Sequence, residues 1–350
     1  MSQFTTMPKA ELHLHLEGAI PPEAILEIAR RGGLTDLLPG TDAESIRRWF
    51  TFDDFAHFVT VVRTIKSLLR TPDDFAGAVT AMGRALAAEQ VLYAEITVTP
   101  YTYIGYLNHG VTIDLLLEGL AAGRRQVLAE SGVELRWIFD IPRNRAFANY
   151  QHGGAYVPGA AERTLEFALQ GMDVGVVGLG LGGSEVNAPP EPFAPVFAEA
   201  KRYGLKSVPH AGESEGAPSV WGAIEALGAD RIGHGVRASE DATLMALLAE
   251  RAIPLEINLT SNIYLKFYPD LQAHPLPLLE RAGVLVTINT DDPTLIGASL
   301  SAEYQLLVDV FGYNPVDVIR IARNAFTASF AEPVLKARLL AEFERWKGGD

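Results

Sequence analysis

The sequence predicts an α/β fold, a (β/α)8 TIM barrel with extra helices between strands 1 and 2 and at the C-terminus. Three observations carry that expectation. Eight short apolar runs alternate with helical patterns, as a parallel sheet requires. Histidines and carboxylates recur where those runs end, and parallel barrels build their sites at the C-terminal ends of strands. No GxGxxG opens a helix after the first run, which disfavours the open dinucleotide-binding sheet.

In chain order the expected strands are Glu11–Leu16, Val91–Val98, Glu134–Ile141, Val174–Leu181, Lys206–His210, Arg231–His234, Ile253–Asn258 and Val284–Asn289. Helical patterns fall between them, at Pro22–Arg31, Ile113–Ser131, Ala160–Gln170, Pro192–Tyr203, Pro218–Leu227, Ser239–Glu250 and Pro275–Ala282. The stretch between the first two strands is too long for one crossover and reads as two extra helices, about Phe52–Leu69 and Asp73–Glu89. The tail adds helices near Ser301–Phe311, Pro315–Ala328 and Pro333–Trp346, expected to pack on the barrel. No linker or low-complexity stretch interrupts the pattern, so residues 1–350 read as a single barrel domain.

Composition narrows the function. The chain has no cysteine, which excludes disulfides and thiolate metal sites. No apolar run approaches the length of a membrane span, and the N-terminus lacks the apolar core of a signal peptide, so a cytoplasmic protein off the membrane is expected. A net charge of −14 argues against general nucleic-acid binding. The expected partner is a small molecule, and the oligomeric state is left open.

The site is read from four segments. In AELHLHLEG, His13 and His15 lie two residues apart, so a strand projects both imidazoles from one face. KSVPHAGE places His210 and Glu213 after the fifth strand, DRIGHG places His234 after the sixth, and NTDDP places Asp291 and Asp292 after the eighth. His13, His15, His210 and Asp291 supply three nitrogens and a carboxylate, a set suited to one Zn2+ or similar divalent metal with a position left for water. His234 is positioned by strand order to steer that water. Glu213, three residues past a ligand, is positioned to donate a proton, since a carboxyl near an apolar pocket can stay protonated at pH 7. Phe52, Phe55 and Phe58 recur at helical spacing in the insertion, which reads as ordinary core packing or, because the segment lies above the site, as an apolar gate that meets the substrate.

Together ELHLHLEG, HAGE at 210–213, GHG at 233–235 and NTDDP at 289–293 resemble the adenosine deaminase family of metal-dependent barrel hydrolases. TSN at 260–262 and the stretch at 299–304 are similar too, so the resemblance spans nearly the whole chain. It implies that water adds at C6 of a 6-aminopurine and ammonia leaves. By position it implies that Glu213 protonates ring N1, His234 orients the water, Asp292 contacts the water or the ring near N7, and the backbone of Gly183 meets N3. Adenosine-type nucleosides are the first expectation, giving inosine or 2'-deoxyinosine. 6-Aminodeoxyfutalosine, an intermediate of menaquinone synthesis, and adenine are the alternatives.

The chain departs from the family pattern in three places. Glu17 stands where aspartate is usual on the ribose side; two residues past His15, it is expected on the same face nearer the mouth and to read the N9 substituent. Gly180 and Ser184 stand where aspartates are frequent, and NLTSN lacks a Cys-Pro. A barrel hydrolase of another ester or amide is the reading from a different class. The fourth strand ends GLGLGG, without the lysine that two-metal relatives carbamylate.

Overall fold

The computed structural model describes residues 4–52 and 55–346. Its strands are β1 Lys9–His15, β2 Val91–Val98, β3 Glu134–Pro142, β4 Val176–Gly182, β5 Lys206–Ala211, β6 Ile232–His234, β7 Leu255–Ile257 and β8 Val286–Ile288. They form one parallel sheet in the order β1 to β8. Closure does not come from β8 itself. It comes from the residues beyond it: the His15 amide donates to the Asp291 carbonyl at 2.9 Å, and the Asp291 amide donates to the His13 carbonyl at 3.1 Å. The seam of the barrel therefore runs through three of the expected site residues.

The helices are α1 Pro22–Arg31, α2 Ala43–Trp49, α3 Phe55–Leu68, α4 Pro72–Ala88, α5 Ile113–Ser131, α6 Gly159–Gln170, α7 Ala194–Arg202, α8 Ala217–Glu225, α9 Ala242–Arg251, α10 Leu259–Tyr264, α11 Leu276–Arg281, α12 Pro293–Ile296, α13 Leu300–Asp309, α14 Pro315–Ala328 and α15 Pro333–Arg345. Local chemistry sets many of their ends. Thr71 and Asp74 form a reciprocal capping box at the start of α4, with Pro72 at its first position. Thr112 caps α5, and Gly132 ends it in the left-handed conformation. Helices α4 and α5 approach closely because α5 carries glycine at the crossing. A Cβ on Gly119 would lie 2.5 Å from the Phe75 Cβ, and one on Gly123 2.6 Å from that of Val79.

Three expectations are corrected here. The insertion holds an additional helix, α2, whose start is capped by the Asp42 carboxylate accepting from the Ser45 amide. The apolar runs before β4, β7 and β8 enter the sheet about two residues late. Before β4 the cause is visible: Met172–Val174 forms a 3-10 turn that ends at Gly175, φ 103°. Phe52 lies before α3 rather than on it, so the three phenylalanines do not share one helical stripe.

Candidate active site

The two imidazoles at the end of β1 meet Asp291 across the seam. Asp291 Oδ1 lies 3.3 Å from His13 Nε2 and 3.3 Å from His15 Nε2. From β5, His210 Nε2 comes within 3.3 Å of His15 Nε2, and its ring centre is 4.6 Å from that of His13. His13 Nε2 is buried and makes no hydrogen bond. Ligands about 2.0–2.1 Å from a tetrahedral ion stand roughly 3.3 Å apart. The donor spacing therefore matches what one small divalent cation needs, and the set of three nitrogens and a carboxylate fits zinc.

Asp291 has φ +68° and His234 has φ +59°, both in the left-handed region that non-glycine residues rarely adopt. Each such residue costs roughly 1–3 kcal/mol and persists where the surroundings over-determine it. Here the sharp turn after the strand aims both side chains inward. Burial opposes charge on His13 and His15. The adjacent Asp291 carboxylate outweighs it, joined at His13 by Glu256, and raises them to about 10 and about 9. His210 is pushed well below its ordinary value by burial and by the charges of His13 and His15.

A buried ladder of charges supports the centre from below. Glu256 on β7 accepts from His13 Nδ1 at 2.7 Å and from Arg231 Nε, and Arg231 also pairs with Glu95 on β2. Glu256 thereby fixes the His13 tautomer with its Nε2 lone pair aimed inward.

Glu213 sits in the turn after β5. A second carboxylate, Glu185, shapes that turn: it accepts the amides of Gly212 at 2.9 Å, Glu213 at 2.9 Å and Ser214 at 2.8 Å. Arg143, fully buried, donates to the His210 carbonyl and to that of Ala188. The Glu213 carboxyl opens on the cavity, 3.4 Å from His234 Nε2. Burial, then the charges of Asp291 and Glu185, hold its pKa well above the ordinary carboxylate range. Burial lowers His234 to about 3, so its ring is neutral.

Asp292 also faces the cavity, and burial followed by the Asp291 charge raises its pKa. It can lie there because residue 18 is glycine: a Cβ on Gly18 would come within 1.7 Å of Asp292 Oδ1. Asp140, on β3, faces the same cavity and is raised to about 6 by burial. Gly180 and Gly182 make room for it, since a Cβ on either would lie within 2.6 Å of its carboxylate oxygens.

The cavity measures about 500 Å3 and is lined by His15, Glu17, His210, Glu213, His234, Asp291, Asp292 and the Gly183 backbone, among others. Glu17 belongs to a 3-10 turn, Glu17–Ala19, rather than to the strand that alternation suggested. It still reaches the cavity, accepting from the Tyr103 hydroxyl and lying 3.5 Å from Lys66 Nζ. Phe58 lines the wall, whereas Phe52 packs behind it, edge-on to Phe58 and Tyr264. The side chain of Phe55 lies outside the described residues.

At the outer wall, Arg63 of α3 and Arg145 together lower the pKa of the Tyr106 hydroxyl, and the Arg145 guanidinium stacks 3.4 Å from the Tyr106 ring centre. A second cavity, about 680 Å3, opens beside α1, α4 and α12, and none of the converging histidines lines it.

Glu256, Glu185, Asp140, Arg143 and the Arg63–Arg145 pair were not singled out from sequence. Two of them carried a usable signal: Asp140, a carboxylate near the C-terminal end of β3, and Glu256, the one charged residue of β7.

A family model described as adenosine deaminase matches residues 8–346. An aminodeoxyfutalosine deaminase of Streptomyces avermitilis is 38% identical over 342 residues, covering 97% of this chain and 91% of that protein. The crystal structure of an adenine deaminase from Arthrobacter aurescens superposes with a TM-score of 0.87 at 30% identity, over 97% of this chain and 99% of that one. An amidohydrolase from Burkholderia ambifaria, solved with bound zinc, superposes with a TM-score of 0.85 at 25% identity, over 98% and 92% of the two chains.

Proposed function

The chain belongs to the adenosine deaminase family, hydrolases of C–N bonds in cyclic amidines, and from that premise we propose that it deaminates a 6-aminopurine nucleoside bearing an acidic extension. Water adds at C6, ammonia leaves, and the 6-oxopurine remains. Aminodeoxyfutalosine, a nucleoside extended by a carboxyphenyl group, is the favoured substrate. Adenosine itself is a poorer fit, because it offers the mouth of the cavity no anion.

His13, His15, His210 and Asp291 would hold one zinc-like cation. Bound there, it supplies the Lewis acidity that makes a water nucleophilic near neutral pH. The chain's own groups do the rest. Glu213, whose raised pKa favours its protonated form, delivers a proton to ring N1, which draws electrons away from C6. His234 faces both Glu213 and Asp291 and orients the attacking oxygen. Asp292, with its raised pKa, donates toward N7. The Gly183 backbone meets the N3 edge, and Glu17, braced by Tyr103 and Lys66, receives the sugar hydroxyls.

The observation that carries the choice of substrate is the pair Arg63 and Arg145 around Tyr106, two exposed cations at the cavity's outer wall in a chain of net charge −14. Steering an anion to that wall is the use such a local reversal of sign has. The similarity to an aminodeoxyfutalosine deaminase supports the same reading. A second reading, bare adenine, is favoured by the fold match to the Arthrobacter enzyme.

The test is ammonia release by zinc-loaded protein on adenine, adenosine and aminodeoxyfutalosine. The highest kcat/KM is expected on aminodeoxyfutalosine. A higher value on adenine would replace the proposal with the second reading.

A further inference from the structure

Three buried polar residues beside the site have no part in the chemistry above. Asn258 follows β7, Asn262 lies on α10, and His274 precedes α11; each is at most 3% exposed. Their hydrogen bonds converge on one atom, His234 Nδ1. Asn262 Nδ2 lies 3.2 Å from it and Asn258 Nδ2 3.3 Å.

The direction of these bonds follows from two backbone groups whose polarity is not adjustable. The Leu276 amide can only donate, and it meets His274 Nδ1 at 3.2 Å. His274 Nδ1 must therefore accept, and the ring carries its hydrogen on Nε2. That nitrogen meets Asn262 Oδ1 at 3.1 Å, so the Asn262 carbonyl faces His274 and its NH2 faces His234. Turning Asn262 over would set donor against donor. On the other side, the Glu256 carbonyl can only accept, and it meets Asn258 Nδ2 at 3.2 Å. Turning Asn258 over would set acceptor against acceptor. Two independent anchors thus make His234 Nδ1 an acceptor.

We infer that His274, Asn262 and Asn258 are positioning residues that lock His234 in the tautomer bearing hydrogen on Nε2. The inference deepens the proposed reaction and rests on it for its consequence. His234 meets the attacking oxygen as a hydrogen-bond donor, between Glu213 Oε1 at 3.4 Å and Asp291 Oδ2 at 3.8 Å. Neutral and locked, it cannot take the water's proton at that atom; the proton must go to a carboxylate. In a serine-protease triad, mis-setting a histidine tautomer costs about 10⁴-fold in kcat.

The decisive measurement is the nitrogen-15 spectrum of the histidine side chains in the zinc-loaded full chain. The sequence has eight histidines, and the His234 signal is assigned by its loss in His234→Asn. The expected result is Nε2 protonated and Nδ1 bare. Asn262→Asp keeps the shape but replaces the donor with an acceptor. It should move the hydrogen to Nδ1 or charge the ring, and lower kcat roughly 10²–10⁴-fold with little change in KM. His274→Gln, which still offers Asn262 an N–H, should hold both tautomer and rate far better than His274→Leu. Hydrogen on Nδ1 of His234 in the parent protein would overturn the inference, whether or not Asn262→Asp folds. So would an unchanged tautomer in a folded Asn262→Asp. The spectrum does not depend on turnover: a correct tautomer in a protein inactive on every 6-aminopurine would refute the proposed reaction and leave the lock standing.

Discussion

Glu256 accepts a hydrogen bond from His13 Nδ1 at 2.7 Å, while the opposite nitrogen of the same ring is buried without a partner. One side of the imidazole is satisfied so that the other is left for something not made of protein. The neighbouring nitrogens of His15 and His210 and the Asp291 carboxylate stand about it at the spacing of cation ligands.

Removing a donor should remove the metal. His13→Ala and Asp291→Ala are expected to lose zinc and rate together, measured by elemental analysis of purified protein. Glu256→Gln should weaken metal affinity on the order of 10–100-fold, because the ring it orients is freed. Full zinc content in both alanine variants would sink the ligand assignment.

Glu213→Gln should keep its zinc and lose about 10²–10⁴-fold in kcat. In the parent enzyme burial raises the pKa of Glu213, which favours its protonated form, so activity should fall on the alkaline side as Glu213 ionises. Near-normal turnover of Glu213→Gln on the best 6-aminopurine would show that the proton comes from elsewhere.

Glu17→Asp should leave zinc content unchanged and alter the ratio of kcat/KM between nucleosides and adenine. The shorter carboxylate withdraws from Tyr103 and Lys66, and a lost hydroxyl contact leaves a buried polar group unpaired. An equal loss on adenine, adenosine and aminodeoxyfutalosine would assign Glu17 to bracing the turn at Gly18 instead.

Arg63→Ala or Arg145→Ala should lower kcat/KM on an anionic nucleoside and spare adenine. An exposed ion pair contributes at most about 1 kcal/mol, so roughly fivefold each is expected. The difference should shrink as salt is added. Equal effects on charged and uncharged substrates would remove the anion from the argument.

Glu11, buried at the back of β1, has its pKa raised from 4.5 to about 7, chiefly by burial. Between those values the native state keeps a proton that the unfolded chain has released. Its contribution to stability therefore falls as pH rises from 4.5 to 7 and levels off above. Glu11→Gln removes that slope. Relative to the parent, the variant should gain up to about 3 kcal/mol between pH 4.5 and 8, read from denaturant unfolding. A pH-independent difference would mean that Glu11 ionises normally in the fold.

The sequence by itself determined the barrel and the inner ring of the site. Both are written in short-range pattern: apolar runs that alternate with helical ones, and polar groups where those runs stop. Two-residue spacing put His13 and His15 on one face, and strand order brought His210, Glu213, His234, Asp291 and Asp292 to one end. What only the tertiary structure decided lies at long range. The His13–Glu256 bond joins residues 243 apart, and the Arg231–Glu95 pair residues 136 apart. No local periodicity marks either partner. The same holds for Arg63 and Arg145, which reach one tyrosine from two separate elements. The helical spacing of Phe52 and Phe58 was misleading for the complementary reason: the chain enters α3 only after Phe52, so a local pattern had no helix to act on. Periodicity tells a residue which face it occupies. Which groups satisfy it once it is buried depends on every element packed against that face.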